Sequence, residues 1–141
     1  MRRLSLLLII LLVTLVSSSV MGNPPPANEK NRLAVLWTSG DPAVAHRVAF
    51  MYTHVAKTAG WFDEVVMIIW GPSQRILVGD KDLQAKVKAM QDDGIKVMAC
   101  IFCAKTFGVV EQLEALGLPV EPMGVPLSDY IKSDDWDVIT F

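Results

Sequence analysis

The sequence predicts a three-layer α/β/α domain built on a mostly parallel sheet of about five strands. Short, uninterrupted apolar runs recur along the chain, as is typical of strands buried on both faces of a parallel sheet. Segments with apolar residues at helical spacing separate these runs, and the alternation indicates a sheet covered by helices on both sides. With 52% apolar and 20% charged residues, the 141-residue chain has the composition of one globular domain.

The N-terminal residues are interpreted as a cleavable secretory signal. Arg2 and Arg3 precede an apolar run at 4–16, and mostly small residues follow it up to Gly22. We expect cleavage after Gly22, and cleavage after Ser18 or Ser19 is the alternative. The run is shorter than the roughly 20 residues that span a bilayer, so no stable membrane insertion is expected after cleavage. The protein is therefore predicted to be exported, either periplasmic or secreted. The predicted divisions are a signal at 1–22, a proline-rich linker at 23–30 and a domain at 31–141.

The charge of the mature chain argues against one class of partner. Removing the signal with its two arginines changes the formal net charge from −2 to −4. A mildly acidic domain lacks the basic stripe that releases counterions from phosphate backbones, so nucleic acid is not an expected partner. The domain is also long enough to be stable without a disulfide.

The first helix illustrates how the elements are predicted in order. Asp41 is a good N-cap and Pro42 suits the first helical position. Apolar residues then recur at helical spacing as far as Val55, and Gly60 ends the helix. The same criteria predict strands at 32–38, 64–70, 95–100, 120–123 and 136–141, and helices at 42–59, 81–93, 106–116 and 126–132, with a small apolar island at 76–78.

His46 and His54 lie on the first predicted helix, eight residues apart. Zinc sites on a single helix favour a spacing of about four residues, so this pair is a weak metal signal. We interpret both as surface or interface histidines and expect neither a metal site nor a cofactor.

Cys100 and Cys103 lie where the third strand ends, and ligands collect at the carboxyl ends of parallel strands. The free N–H groups at the start of the following helix favour a thiolate over a thiol. Three interpretations follow from the residues themselves. The cysteines are small hydrophobic core residues, a thioredoxin-like dithiol, or part of a zinc site completed by a second subunit.

A fourth interpretation comes from resemblance to a known family. Gly108 and Val109 follow Cys100 by eight and nine positions, residues 70–73 form the turn Trp-Gly-Pro-Ser, and residues 123–127 read Met-Gly-Val-Pro-Leu. In these features the chain from about residue 32 to 141 resembles the DsrE/DsrF-like family of small α/β proteins, which includes sulfur-relay subunits.

The resemblance implies that Cys100 carries a persulfide exchanged with a sulfur donor or acceptor protein. Cys103 looks like the second cysteine of a single-domain branch of the family that has a C-x-x-C pair. In this branch Cys103 is a candidate resolving thiol. Thiol redox chemistry at Cys100 is therefore an alternative to persulfide transfer. The resemblance to the family also implies a homo-oligomer, commonly a dimer, trimer or hexamer. The alternative function is a non-catalytic oligomeric binding or assembly module with inert cysteines. The candidate substrate-contacting residues are Ser39, Gly40, Trp70, Gly71, Pro72 and Lys105.

Overall fold

Five parallel strands form the centre of the fold, in the order β4-β3-β2-β1-β5. The computed structural model describes residues 31–141, so the predicted signal and linker lie outside the described residues. The strands are β1 (Arg32–Trp37), β2 (Glu64–Ile69), β3 (Lys96–Cys100), β4 (Val120–Glu121) and β5 (Trp136–Thr140). The helices are α1 (continuous through Pro42–Val44, Ala45–Ala49 and Phe50–Thr58), α2 (Ser73–Gly79), α3 (Lys81–Asp92), α4 (Ile101–Phe107), α5 (Val110–Ala115) and α6 (Gly124–Lys132).

The predicted α/β/α architecture is confirmed, and the sheet has two unequally covered faces. Successive residues of a strand point to opposite faces, so Leu33 and Val35 lie on one face while Ala34 lies on the other. On the first face, strand residues pack against buried side chains of α1 to α5. On the second face, the described helix that packs on the sheet is α6, through the half-buried Leu127 and Tyr130.

The apolar residues that predict α1 are not the ones that it buries. Val48, Met51 and Val55 are 40%, 59% and 39% exposed, whereas the buried contacts come from small residues together with Phe50. Close packing of α1 on the sheet requires small side chains, and Ala45, Ala49 and Ala56 provide them. The helix is therefore predicted correctly, although its most apolar stripe faces outward.

The third predicted helix, at 106–116, is wrong in its start and in its continuity. The structure begins α4 at Ile101, directly after Cys100, and ends it at Phe107, before Gly108, whose φ of 65° is left-handed. A second helix, α5, then begins at Val110. Apolar residues at the start of α4 resemble a continuing buried strand, which explains the error. The apolar island at 76–78 lies within α2.

None of the helices among residues 31–141 is both long enough and apolar enough to cross a bilayer.

Candidate functional site

Cys100 is the last residue of β3, at the carboxyl edge of the sheet. Its side chain is 1% exposed and lies on the second face with Ile68, Met98 and Met123. The backbone of Cys100 is extended and acts as the N-cap of α4, without a hydrogen bond from its side chain. The thiol predicted to be the nucleophile is thus an inner thiol, enclosed by apolar neighbours.

Cys103 lies in the first turn of α4 and is half-buried. Its thiol lies near the Cys100 thiol and interacts with the backbone N–H of Gly71, and both cysteines are free. Burial is the main cause that raises the pKa of Cys103, and the Cys100 sulfur adds to it, while the Gly71 N–H acts in the opposite direction. Burial thus acts against the thiolate that the start of a helix favours.

The turn after β2 brings Gly71 to this thiol. Gly71 has a φ of 70°, which a residue with a side chain adopts at a cost, so the turn requires glycine here. Trp70 packs on the second face beside Cys103, and its backbone N–H donates to the Trp37 carbonyl at 3.0 Å. The buried Ser73 hydroxyl closes the turn by donating to the carbonyls of Trp37 and Trp70. Hydrogen bonds to Trp37, together with the bond from Ser73 to Trp70, therefore fix the conformation of this turn.

Gln74 supports the site and is not predicted from the sequence. Its side chain is fully buried, and its Nε2 donates to the carbonyl of Ile69 at 3.1 Å and to that of Cys100 at 2.9 Å. One amide thereby joins the ends of β2 and β3 at the residue where the inner thiol sits. A polar residue after a Gly-Pro turn normally signals a solvated loop, so no local pattern reveals this role.

Gly40 and Pro72 line a cavity of about 330 Å³ together with Arg75 and Ile76. A Cβ added to Gly40 would lie 3.2 Å from Cβ of Pro72, so the two loops pack closely. Arg75 is exposed, and its guanidinium lies 5.8 Å from the ring centre of Phe107 on α4. This arginine is a second residue that the sequence does not single out.

Two predicted site residues lie outside both the cysteine site and the cavity lined by Gly40 and Pro72. Lys105 is exposed and makes no hydrogen bond or ion pair with any of residues 31–141, and it lies two positions from Cys103, too few to share a helix face. The Ser39 hydroxyl accepts from the Asp41 N–H at 3.1 Å, which makes it part of the cap of α1. The structure thus brings Cys100, Cys103, Trp70 and Gly71 together, with Gly40 and Pro72 adjoining.

The two histidines of α1 each bond to a carboxylate. His46 Nε2 lies 2.6 Å from Asp80, and His54 Nε2 lies 2.6 Å from Asp93. Within residues 31–141 no three His, Cys, Asp or Glu side chains cluster in a way that could hold a metal ion.

Comparison with known proteins matches this chain to one family and one solved structure. The model of the DsrE/DsrF-like family matches residues 31–141. The solved structure is that of a conserved protein of unknown function, BT1422, from Bacteroides thetaiotaomicron, with a TM-score of 0.75 and 29% identity. That match covers 82% of this chain and 98% of the other. No curated protein matches this chain. The resemblance carried by Cys100, Gly108 and the turn at Trp70 is therefore confirmed, and this chain belongs to the DsrE/DsrF-like family.

Proposed function

We propose that this protein is an exported DsrE-like carrier of sulfane sulfur, with Cys103 as the outer thiol that meets the donor and Cys100 as the inner thiol that stores the sulfur. The observation that supports this proposal is the proximity of a half-buried and a fully buried free thiol at the carboxyl edge of the sheet. The proposal keeps Cys100 as the sulfur-carrying residue and gives Cys103 the earlier step, because Cys103 is the one that solvent reaches.

The first step is attack of the Cys103 thiolate on the terminal sulfur of a donor persulfide, R–S–SH. The donor's S–S bond breaks, R–S⁻ leaves and takes up a proton, and Cys103 becomes a persulfide. The Cys100 thiolate then attacks that terminal sulfur, so the persulfide moves to Cys100 and Cys103 returns to a thiol. Neither step needs an external oxidant. Attack of Cys100 on the Cys103 sulfur itself would instead release HS⁻ and leave a disulfide.

Storage at the inner position has a physical advantage. A persulfide on Cys100 lies among Ile68, Met98 and Met123, where an external thiol cannot reach it without an opening of the second face. The Gln74 amide holds the Cys100 backbone in place. The Gly71 backbone N–H lowers the pKa of Cys103 and so favours the negative charge that each transfer step needs.

The experiment is incubation of the reduced protein with glutathione persulfide, followed by mass spectrometry of the intact chain. Wild type is expected to gain one sulfur atom and to retain it when excess glutathione is added. The Cys103→Ser variant is expected to gain none in the same time. The Cys100→Ser variant is expected to gain one and then lose it rapidly to glutathione. No added sulfur on wild type, or equal loading and retention in the three proteins, would overturn the proposal.

A second candidate function is favoured by one observation. Cys100 is 1% exposed among apolar side chains, as expected for a packing residue in a non-catalytic binding or assembly module. In that case both thiols would resist alkylation until the domain unfolds. Rapid alkylation of Cys103 in the native protein would exclude this alternative.

Export and self-association are part of the proposal. Export rests on the signal-like residues 1–22, and it predicts that the protein recovered from cells begins after Gly22. Self-association is supported by Phe102, which is 66% exposed beside Cys103 on α4. A second copy that covers this ring would also shield the outer thiol. N-terminal sequencing and light scattering are the respective measurements.

A further inference from the structure

A second group of reactive side chains lies on the first face, away from the cysteines. Lys86 Nζ lies 3.1 Å from His46 Nδ1, and His46 Nε2 lies 2.6 Å from Asp80 Oδ2. An amine, an imidazole and a carboxylate are thus joined in a line. A nucleophile within hydrogen-bond reach of a base, and a third group that orients the base, is the arrangement found in enzymes that use an activated nucleophile.

The bonding defines which nitrogen of His46 holds the proton. A carboxylate only accepts, so Nε2 donates to Asp80 and carries the hydrogen. Nδ1 is then the acceptor that faces Lys86, since an N–H at that position would oppose an ammonium. Asp80 is held in turn, because its Oδ1 accepts the backbone N–H groups of Asp82 and Leu83 at the start of α3.

Asp80 is ionised at neutral pH. The hydrogen bond from His46 is the largest cause that lowers the pKa of the Asp80 carboxyl, followed by the bond from the Leu83 N–H. A fixed negative charge at Nε2–H stabilises the imidazolium that forms when Nδ1 accepts a proton.

A cavity of about 300 Å³ adjoins the amine. It lies between α1 and α3, and Lys86 and both histidines line it together with four apolar side chains: Phe50, Met51, Val55 and Met90. Its volume is at the lower limit for small-molecule sites. The apolar lining matches a short hydrocarbon chain, and Lys86 would meet the carbonyl at the end of that chain.

We propose that Lys86 is a nucleophilic amine that accepts acyl groups from activated esters or thioesters with a short apolar chain, assisted by His46 and Asp80. Lys86 first gives one ammonium proton to water and then reacts as the neutral amine. This amine attacks the carbonyl carbon and forms an N–C bond, while His46 Nδ1 takes the second proton that the nitrogen must lose. The bond to the leaving group breaks, and the imidazolium returns the proton to the alkoxide or thiolate that departs. The products are an N-acyl-lysine, the protonated leaving group and the proton that water took from the ammonium, so atoms and charge balance.

The test is acylation of the wild-type protein with p-nitrophenyl hexanoate, read by peptide mapping after hydroxylamine removes thioesters from the cysteines. Lys86 is expected to form its amide at least about tenfold faster than Lys81 and Lys88 of the same helix. This rate ratio is smaller than the acceleration that a positioned general base usually contributes in enzymes. Lys81 is exposed and has no bonding partner in the described part of the chain, whereas Lys88 pairs with Asp92. The ratio of Lys86 to these controls is expected to be smaller with p-nitrophenyl acetate, whose chain cannot fill the cavity.

The chain offers matched variants. His54 also bonds to a carboxylate at 2.6 Å, two turns along α1, but among residues 31–141 no lysine bonds to its other nitrogen. His46→Gln is expected to bring Lys86 to the rate of Lys81, whereas His54→Gln leaves Lys86 fast. Asp80→Asn still caps α3 and is expected to slow Lys86. A wild-type Lys86 no faster than Lys81, or one that His46→Gln leaves unchanged, would overturn the proposal. If the ratio of the Lys86 rate to the control rates is the same for the acetate and the hexanoate ester, the role of the cavity is overturned.

Discussion

The two faces of the sheet differ in how they are covered and in what they can do. The first face is packed against five helices and buries large side chains such as Met67, Leu77 and Leu83 completely. The second face is covered by α6, which itself buries no residue fully. Both cysteines lie on that second face. The difference suggests a division in which one face provides stability and the other keeps a reactive group within reach of solvent.

The first prediction sharpens this comparison with one chemical change on each face. Leu77→Ala removes a fully buried side chain from the first face and is expected to cost about 2–5 kcal/mol in free energy of unfolding. Leu127→Ala removes a half-buried side chain from α6 and is expected to cost less than about half as much. Urea denaturation of the two variants measures both values. Equal costs would show that the second face is as fully packed as the first.

The second prediction concerns Gln74, with Gln84 as its control. Each side chain donates from Nε2 to two backbone carbonyls, Gln74 at the ends of β2 and β3 and Gln84 at the end of α2. Gln74→Leu leaves two buried carbonyls without this donor and is expected to cost about 1–3 kcal/mol.

The readout that separates the two variants is the alkylation rate of Cys103. Gln74→Leu is expected to change it, because the Cys100 backbone loses its anchor, whereas Gln84→Leu is expected to leave it unchanged. An unaltered rate in Gln74→Leu would limit this residue to a purely structural role.

The third prediction tests the polar contacts at the edge of the first face. His46 and the helix N–H groups lower the folded-state pKa of Asp80, so this carboxylate stabilises the protein above its ordinary pKa of about 3.9. The contribution is lost as pH falls through the lowered value. Thermal denaturation of wild type and Asp80→Asn is expected to differ by less than about 1 kcal/mol at pH 7. That difference should vanish under strongly acidic conditions, where Asp80 is protonated, and a difference that persists there would contradict the assignment.

The fourth and smallest effect on stability is expected at Phe102. This ring is 66% exposed, so Phe102→Asp should change the unfolding free energy of the monomer by no more than about 0.5 kcal/mol. If the ring lies at a contact between copies, the same substitution should lower the mass measured by light scattering. Ile131→Asp, at an exposed position of α6, is a matched control elsewhere on the surface. Loss of assembly in Ile131→Asp alone would move the contact to α6.

The sequence predicts the architecture well and the site only in part. Buried parallel strands are continuous apolar runs, so β1, β2 and β3 are readily predicted. The orientation of α1 is not, because its valines suggest an inward stripe while close packing selects the alanines. The contact between Cys103 and Gly71 joins residues 32 positions apart, and that of Lys86 with His46 joins residues 40 positions apart. Such contacts depend on the tertiary arrangement and leave no local pattern.

The order of reactivity of the two thiols tests the central claim most directly. The reduced native protein is treated briefly with iodoacetamide, quenched, digested and mapped by mass spectrometry. We predict alkylation at Cys103 with Cys100 unmodified, and modification of both once the protein is unfolded in urea. Because burial raises the pKa of Cys103, its rate should continue to rise with pH beyond the range of an ordinary cysteine. Alkylation of Cys100 before Cys103 in the native protein would contradict the assignment of outer and inner thiols.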